Sequence, residues 1–241
     1  MTPMPISRLL LLHLVPGALA TLVFVLLAGP VETSGYPPLL ALLVAIAVVI
    51  IPFELGIVLI AGRGEPGWLS AIPYRDAMTA RDWIVLVPVT LVAGVLGFGV
   101  LGIVEPSIRD TLFGWLPSWF LSPLPTDDIG RFTSAAWTTT LGAYLILNVF
   151  AGPIVEELYF RGYLLPRMGQ FGRWAPLVNV ALFSLYHFWS PWQFFTRIAG
   201  VTPFAYAVWW KRNVWLGAVV HVLLNGIGTL TVIVFVMNQL T

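Results

Sequence analysis

The sequence predicts an all-α membrane protein, a polytopic bundle of about seven transmembrane helices with a short interfacial segment. Of its 241 residues, 59% are hydrophobic and only 10% are charged. The mean hydropathy of +0.90 is well above that of an ordinary soluble domain. Apolar runs of about 20 residues, the length that crosses a bilayer, recur along the chain. No stretch is long and polar enough to form a separate soluble domain.

The apolar runs place the individual helices. We expect crossings at 9–29, 37–61, 83–104, 132–168, 174–189, 192–210 and 213–238. The fourth run is too long for a hydrocarbon core of roughly 30 Å, so we expect a kink at Gly152-Pro153. Residues 105–131 are rich in Trp and Pro and predict the interfacial segment. Within one integrated membrane domain, 1–131 then hold the first helices and this segment, and 132–241 form a second, helical core.

Basic residues are concentrated in the loops on one side of the membrane, and this distribution predicts the orientation of the chain. With the amino terminus in the cytosol, the cytosolic loops carry Arg8, Arg63, Arg75, Arg81, Arg167, Arg173, Lys211 and Arg212. Arg109 and Arg131 lie on the other side, next to acidic residues. Because cytosolic loops are enriched in Lys and Arg, we expect the amino terminus inside and the carboxyl terminus outside. The small size is typical of a bacterial chain, so the plasma (inner) membrane is the expected location.

Charge and cysteine content exclude several classes of function. The net charge of +1 comes without a basic patch or tail, which argues against a nucleic-acid partner, and the apolar runs make the lipid bilayer the expected surroundings. The chain has no cysteine, so a disulfide framework, a thiolate metal site and a cysteine nucleophile are all excluded. Any nucleophile must therefore be water or a hydroxyl group.

Three charged residues stand inside the fourth apolar run. Each ionised side chain near the bilayer centre costs about 2.5–3.5 kcal/mol, so such residues call for partners or a function. Glu157 and Arg161 are four residues apart, share one helix face and can form an ion pair. Glu156 points about 100° away from Glu157, towards a neighbouring helix. The alternative is a cytosolic helix end where all three charges are solvated.

Polar residues at helical spacing recur in later apolar runs, with Phe183 and His187 in one and His221 and Asn225 in the last. The patterns E-E-x-x-x-R, F-x-x-x-H and H-x-x-x-N, in this order on successive helices, resemble the CPBP family of intramembrane proteases. That family includes the CAAX prenyl proteases and their bacteriocin-processing, Abi-like relatives. The resemblance covers about residues 130 to 235.

The acidic and imidazole groups of the three helices lie at similar depths. Counted from the nearest basic residue at the cytosolic end of each helix, Glu156 is eleven residues away, His187 fourteen and His221 nine. At 1.5 Å per residue these distances are roughly 16, 21 and 14 Å. We therefore expect the three groups to converge on a water-accessible cavity that opens towards the cytosol.

The resemblance implies a role for each residue in peptide hydrolysis. Glu156 would be the base that activates water, assisted by His187. His221 and Asn225 would donate hydrogen bonds to the tetrahedral intermediate, and the Glu157–Arg161 pair would hold the base in place. The implied substrate is a peptide or membrane protein, and a prenylated CAAX substrate is implied by the resemblance alone.

Other interpretations of the same residues stay open. Glu156, His187 and His221 could instead bind zinc, but the H-E-x-x-H pattern is absent. The resemblance implies water activation without a metal, so we expect no cofactor. A noncatalytic bacteriocin-immunity or scaffold protein would share the fold. A transporter or proton relay would also place Glu and His in a membrane, although no inverted repeat is seen. For Glu54, another acid in an apolar run, we expect backbone hydrogen bonding after Pro52 or a position near the cytosolic face.

Overall fold

The computed structural model describes residues 2–63 and 67–240 and shows a bundle of helices. Within these ranges no β-strand occurs, and the one β-type pairing is an isolated bridge between Arg75 and Asn213. The predicted all-α class is confirmed. The helices are α1 Ile6–Thr33, α2 Leu39–Ala61, α3 Ala80–Gly102, α4 Glu105–Leu112, α5 Ser118–Leu121, α6 Ser134–Arg167, α7 Ala175–Tyr186, α8 Phe194–Lys211 and α9 Val214–Leu240. Short 3-10 turns lie at Trp68–Ala71, Ile129–Arg131, Gly169–Trp174 and Pro191–Gln193.

Capping side chains determine where three of these helices begin. Thr79 and Asp82 form a reciprocal capping box at the start of α3. The Thr133 hydroxyl accepts a hydrogen bond from the Ala136 amide at the start of α6, at 3.1 Å. The Asn213 side-chain oxygen likewise accepts from the Leu216 amide at the start of α9, at 3.1 Å. Each cap satisfies an amide that the helix itself leaves unpaired.

Five helices in the described part of the chain are long and apolar enough to cross a membrane, namely α1, α2, α3, α6 and α9. The expected crossings at 174–189 and 192–210 are not among them, so the count of seven is not confirmed. Helix α7 has only 12 residues, which at 1.5 Å per residue span about 18 Å of a core of roughly 30 Å. Its apolar residues Val180, Phe183 and Tyr186 are buried in protein and do not face lipid.

Helix α6 is irregular close to the predicted kink. It continues through Gly152-Pro153 as the short α-helical segment Gly152–Glu156, but π-helical turns flank this segment at Leu145–Ala151 and Glu157–Leu164. A π-helical turn inserts a residue and leaves backbone groups free for other partners, and such turns are frequent at functional sites. The expected irregularity is present as two π-helical segments and not as a single kink.

The bundle has two distinct ends. At the first, which we call the basic end, the Met4 amide donates to the Arg167 carbonyl at 2.9 Å and Lys211 pairs with Asp82 at 2.6 Å. At the opposite end, which we call the far end, the Leu39 amide donates to the Pro123 carbonyl at 2.7 Å. The predicted interfacial segment, with α4 and α5, also lies at the far end, where Glu105 contacts the loop that precedes α8.

Helices α3 and α8 pack closely because small residues face each other. A Cβ added to Gly97 would lie 2.7 Å from the backbone of Ala199, and one added to Gly94 would lie 2.9 Å from the carbonyl oxygen of Gly200. Such small-residue contacts let membrane helices approach at backbone distance. The contact fixes α8 against the bundle and thereby places the loop between α7 and α8.

Candidate active site

Glu156 is buried and contacts two neighbouring helices, as predicted from its direction on α6. Its side-chain Oε1 accepts a hydrogen bond from the Tyr186 hydroxyl at 3.2 Å, and its Oε2 lies 3.9 Å from Nε2 of His221. The carboxylate therefore sits between α7 and α9. Tyr186 was not among the predicted site residues, because a lone aromatic residue in an apolar helix indicates packing.

The predicted ion pair between Glu157 and Arg161 is present and entirely buried. Arg161 Nη1 lies 2.9 Å from Glu157 Oε1, and both side chains are fully buried. The same Glu157 oxygen lies 3.1 Å from Nδ1 of His221. Glu157 therefore neutralises a cation on its own helix and also holds a histidine of α9.

The guanidinium of Arg161 is surrounded by aromatic rings. It lies 4.2 Å from the centroid of the Phe183 ring, with Phe204 and Phe160 farther away at 5.5 and 6.0 Å. Aromatic faces attract cations, and this attraction increases when the cation is desolvated. Phe183 of the F-x-x-x-H pattern therefore stabilises the buried cation by packing against it.

His187 directly follows α7, and its orientation follows from one hydrogen bond. Its Nδ1 lies 2.8 Å from the carbonyl oxygen of Phe183, one turn earlier. Because a carbonyl can only accept, Nδ1 must carry the hydrogen, and in the neutral ring Nε2 is then a hydrogen-bond acceptor. The half-buried imidazole also packs against the rings of Tyr186 and Trp189 at 4.7 and 4.8 Å.

His221 is oriented by Glu157 in a similar way. A carboxylate facing Nδ1 favours a hydrogen on that nitrogen and fixes the ring, as in many carboxylate–histidine pairs. The opposite nitrogen, Nε2, then faces Glu156 at 3.9 Å. The imidazole thus lies between the two adjacent carboxylates of α6.

Asn225 lies one turn beyond His221, beside the first π-helical segment of α6. Its Nδ2 donates to the backbone carbonyl of Asn148 at 2.8 Å, and Asn148 in turn donates to Thr229 at 2.9 Å. An amide nitrogen carries two hydrogens, so this bond leaves one donor of Asn225 unused.

One cavity of about 650 Å³ brings four of the six predicted residues together. Glu156, His187, His221 and Asn225 line it, whereas Glu157 and Arg161 lie behind its wall. The volume falls within the range typical of ligand-binding sites. The sequence prediction of a converged site is consistent with this arrangement.

A comparison with known protein families matches the part of the chain that contains these residues. Residues 138–227 match the family described as Rce1-like, type II CAAX prenyl endopeptidase. The match gives residues 138–227 as an Rce1-like domain. All six predicted site residues lie within the Rce1-like match, and the resemblance to the CPBP family is confirmed. No curated protein and no solved structure matches the chain.

The cavity of the Rce1-like domain extends from Glu156 towards the far end of the bundle. Its further lining includes Leu39 and Leu43 of α2, residues 121–124, and Trp192 before α8, all of which belong to that end. On the other side of Glu156, residues 157–164 are all buried. In the predicted orientation the far end is extracellular, so the expected cytosolic opening is not supported. The count of residues along each helix predicted how far the three groups lie from the basic end. It did not show on which side of Glu156 the protein is tightly packed and on which side the cavity lies.

Glu54 of α2 lies outside the Rce1-like match but next to its site. The carboxyl group is fully buried, close to Tyr186 and Glu156, and neither oxygen has a well-formed hydrogen bond within the described residues. It is therefore neither bonded to backbone freed by Pro52 nor exposed at a membrane face, as the sequence had led us to expect. The proximity of Glu54 to Tyr186 could not be predicted, because α2 and α7 are separated by more than a hundred residues.

The zinc alternative gains no support from the geometry of the Rce1-like site. Over residues 2–63 and 67–240, no group of three His, Asp or Glu side chains is arranged to hold a metal ion. The absence of a cofactor stays a prediction.

Proposed function

We propose that this protein is an intramembrane endopeptidase that hydrolyses a peptide bond with water activated by Glu156 and His187. The observation that carries the proposal is the convergence of Glu156, His187, His221 and Asn225 on one buried cavity within a domain of a protease family. Residues 132–241 would form the catalytic core, while α2 closes part of the cavity wall from the amino-terminal half.

Glu156 and His187 are suited to remove a proton from water. Glu156 is held by the Tyr186 hydroxyl, and the neutral His187 ring presents a basic Nε2 because its Nδ1 is bonded to a carbonyl. A water molecule between the two groups would lose a proton to Glu156 as its oxygen attacks the peptide carbonyl. The same proton would then pass to the leaving amine, so the enzyme returns to its starting state.

His221 and Asn225 are suited to stabilise the negative charge of the tetrahedral intermediate. Asn225 has one N–H left after bonding to Asn148, and His221 offers Nε2–H when its ring is protonated beside Glu157. Donors aimed at a developing oxyanion in a water-poor site contribute strongly to catalysis. Glu157 and Arg161 would act through His221 and not on the substrate.

The lining of the cavity indicates an apolar substrate. Leu39, Leu42, Leu43 and Phe98 are among the apolar residues that line it, which fits a membrane-protein segment or a hydrophobic peptide. A prenylated CAAX substrate rests on the family name alone. With the basic end in the cytosol the cavity faces outwards, where a membrane or exported peptide fits better than a cytosolic prenylated protein.

The decisive experiment compares Glu156→Gln with the unmodified protein in detergent, using internally quenched hydrophobic peptides. We expect Glu156→Gln to abolish cleavage while the protein stays folded, because the amide keeps the volume but cannot accept a proton from water. Glu32→Gln is the matched control, since that carboxylate pairs with Arg131 at the far end. Cleavage that persists in Glu156→Gln would contradict the proposal. If neither protein cleaves, and membrane-protein termini are unchanged without the gene, the noncatalytic alternative is favoured.

Metal dependence provides a separate test of the mechanism. We expect activity to survive dialysis against a strong zinc chelator, because water would be activated by side chains alone. Loss of activity on chelation that is restored by zinc would establish the alternative site of Glu156, His187 and His221.

A further inference from the structure

The backbone carbonyl of Asn148 lies at the end of the first π-helical segment of α6. Within a helix such a carbonyl has two possible backbone donors, the amide four residues later and the amide five residues later. Four residues later is Gly152, but its amide donates to the carbonyl of Leu147. Five residues later is Pro153, which has no N–H. Neither of these two donors is therefore available to Asn148.

Asn225 of α9 supplies the missing donor. Its Nδ2 donates to the Asn148 carbonyl at 2.8 Å. Because a carbonyl can only accept, Nδ2 and not Oδ1 of Asn225 must face α6, and the bond fixes the orientation of the side-chain amide. The Asn148 side chain adds a second bond between the two helices, to Thr229 Oγ1 at 2.9 Å. Helices α6 and α9 are thus joined at two successive turns of α9.

Gly152 and Pro153 act together in this arrangement. A Cβ added to Gly152 would lie 2.8 Å from the carbonyl oxygen of Leu147, so the glycine allows that carbonyl to approach its amide. Pro153 then offers no hydrogen to the next carbonyl, that of Asn148. Asn148, Gly152, Pro153 and Asn225 all line the same cavity as Glu156. The carbonyl that receives Asn225 is therefore part of the candidate site.

We propose that Pro153 is a positioning residue for Asn225. By leaving the Asn148 carbonyl without a backbone donor, Pro153 commits one N–H of Asn225 to α6 and leaves the other for the substrate. This proposal rests on the proposed function, in which that second N–H stabilises the oxyanion. Packing of α9 on α6 would need an interhelical hydrogen bond of any orientation, whereas an oxyanion donor has to be held in one orientation.

Pro153→Ala tests the proposal because it restores the missing hydrogen. In a π-helical register the new amide at position 153 would reach the Asn148 carbonyl, and in an α-helical register the Gly152 amide would reach it. In both registers a backbone donor competes with Asn225. We expect kcat for the quenched hydrophobic peptides to fall at least about tenfold, towards the roughly 10²–10³-fold loss of a removed oxyanion donor, with KM unchanged. Thermal stability in detergent should not fall, because proline inside a helix is itself unfavourable.

A second background separates positioning of Asn225 from a general disturbance of α6, since Pro153 lies only three residues before Glu156. In Asn225→Ala, adding Pro153→Ala should change kcat less than about twofold, because the group through which Pro153 acts is gone. Pro88→Ala is the matched control: it removes a proline from the interior of α3 that does not line the cavity, and kcat should be unchanged. An equal fall of kcat in both backgrounds, or no fall in Pro153→Ala alone, would overturn the proposal.

Crystal structures of the unmodified protein and of Pro153→Ala test the geometry without requiring cleavage. We expect a backbone amide on the Asn148 carbonyl in the variant, and Asn225 Nδ2 beyond hydrogen-bond distance of that oxygen. An Asn225 side chain that keeps its position and its bond in Pro153→Ala would overturn the proposal. If the unmodified protein cleaves no peptide while Asn225 is released in the variant, the proposed function is contradicted and the positioning by Pro153 stands.

Pro153→Val is a second variant for the case that Pro153→Ala does not fold. Valine also carries the N–H that proline lacks, so the same changes in kcat and in the Asn225 bond are expected. Failure of both variants to fold would show that Pro153 is required for the fold, and this result would overturn its role as a positioning residue.

Discussion

Glu157 has two partners, and its loss should therefore affect both stability and the site. Replacing it with Gln leaves Arg161 as a fully buried cation without its anion. Breaking a buried ion pair in this way lowers the free energy of unfolding by about 3–5 kcal/mol. Glu156→Gln breaks no such pair and should be much less destabilising. Thermal unfolding of both variants in detergent measures the difference. A stable but inactive Glu157→Gln protein would mean that the roles of the two carboxylates are exchanged.

Tyr186 should matter for activity although no sequence motif includes it. Tyr186→Phe removes the hydroxyl that donates to Glu156. The loss of a hydrogen bond to a charged group costs about 1.5 kcal/mol, which corresponds to an activity about tenfold lower. Tyr206→Phe is the control, because among the described residues it removes a hydroxyl that bonds just the Arg173 carbonyl at the basic end. Equal activities of the two variants would contradict a role for Tyr186 in holding the base.

The sequence predicted the site residues whose relationships are local along a helix. Glu157 and Arg161 are four residues apart, so their pairing could be inferred from helix geometry alone. Glu54 and Tyr186 were not predicted, because each owes its position to the packing of separate helices. An apolar or aromatic pattern around a residue reveals that it is buried, but not which polar group it meets.

At the level of elements, the contact between α3 and α8 depends on the absence of a side chain at Gly97. Gly97→Ala would place a Cβ 2.7 Å from the backbone of Ala199 and should destabilise the protein by about 1–3 kcal/mol, as overpacking does. Gly99→Ala on the same helix is the matched control, since a Cβ there meets nothing within 4 Å. Thermal unfolding in detergent should separate the two variants. Equal melting temperatures would show that α3 and α8 are not held by this contact.

The long spans were predicted well, whereas the two shorter helices are not confirmed as crossings. The five crossing candidates correspond to the expected runs 9–29, 37–61, 83–104, 132–168 and 213–238 within a few residues. Helices α7 and α8 were assigned as crossings from hydropathy, which records that side chains are apolar but not whether protein or lipid surrounds them. Val180, Phe183 and Tyr186 are apolar because they pack against other helices.

For the whole molecule, the distribution of basic residues predicts a carboxyl terminus outside the cell. Five candidate crossings in the described residues and the seven expected are both odd numbers, so either count gives the same orientation. A reporter that is active only outside the cytosol should be functional when it is fused after residue 241. The same reporter fused to the amino terminus should be inactive. A carboxyl-terminal reporter active only in the cytosol would reverse the orientation. The cavity would then open towards the cytosol, where a prenylated substrate could reach it.

The short length of α7 has a consequence for how the protein is made. Neither α7 nor α8 is among the helices suited to enter lipid by itself, and both pack against helices synthesised earlier, α7 on α1 and α8 on α3. Insertion of hydrophobic spans precedes their association in the membrane. During biosynthesis, the segment with His187 and Arg197 can therefore enter the bilayer only after α1 and α3 have been inserted there and offer a surface to pack against. A nascent chain without α1 or α3 should leave this hairpin accessible to proteases and quality control.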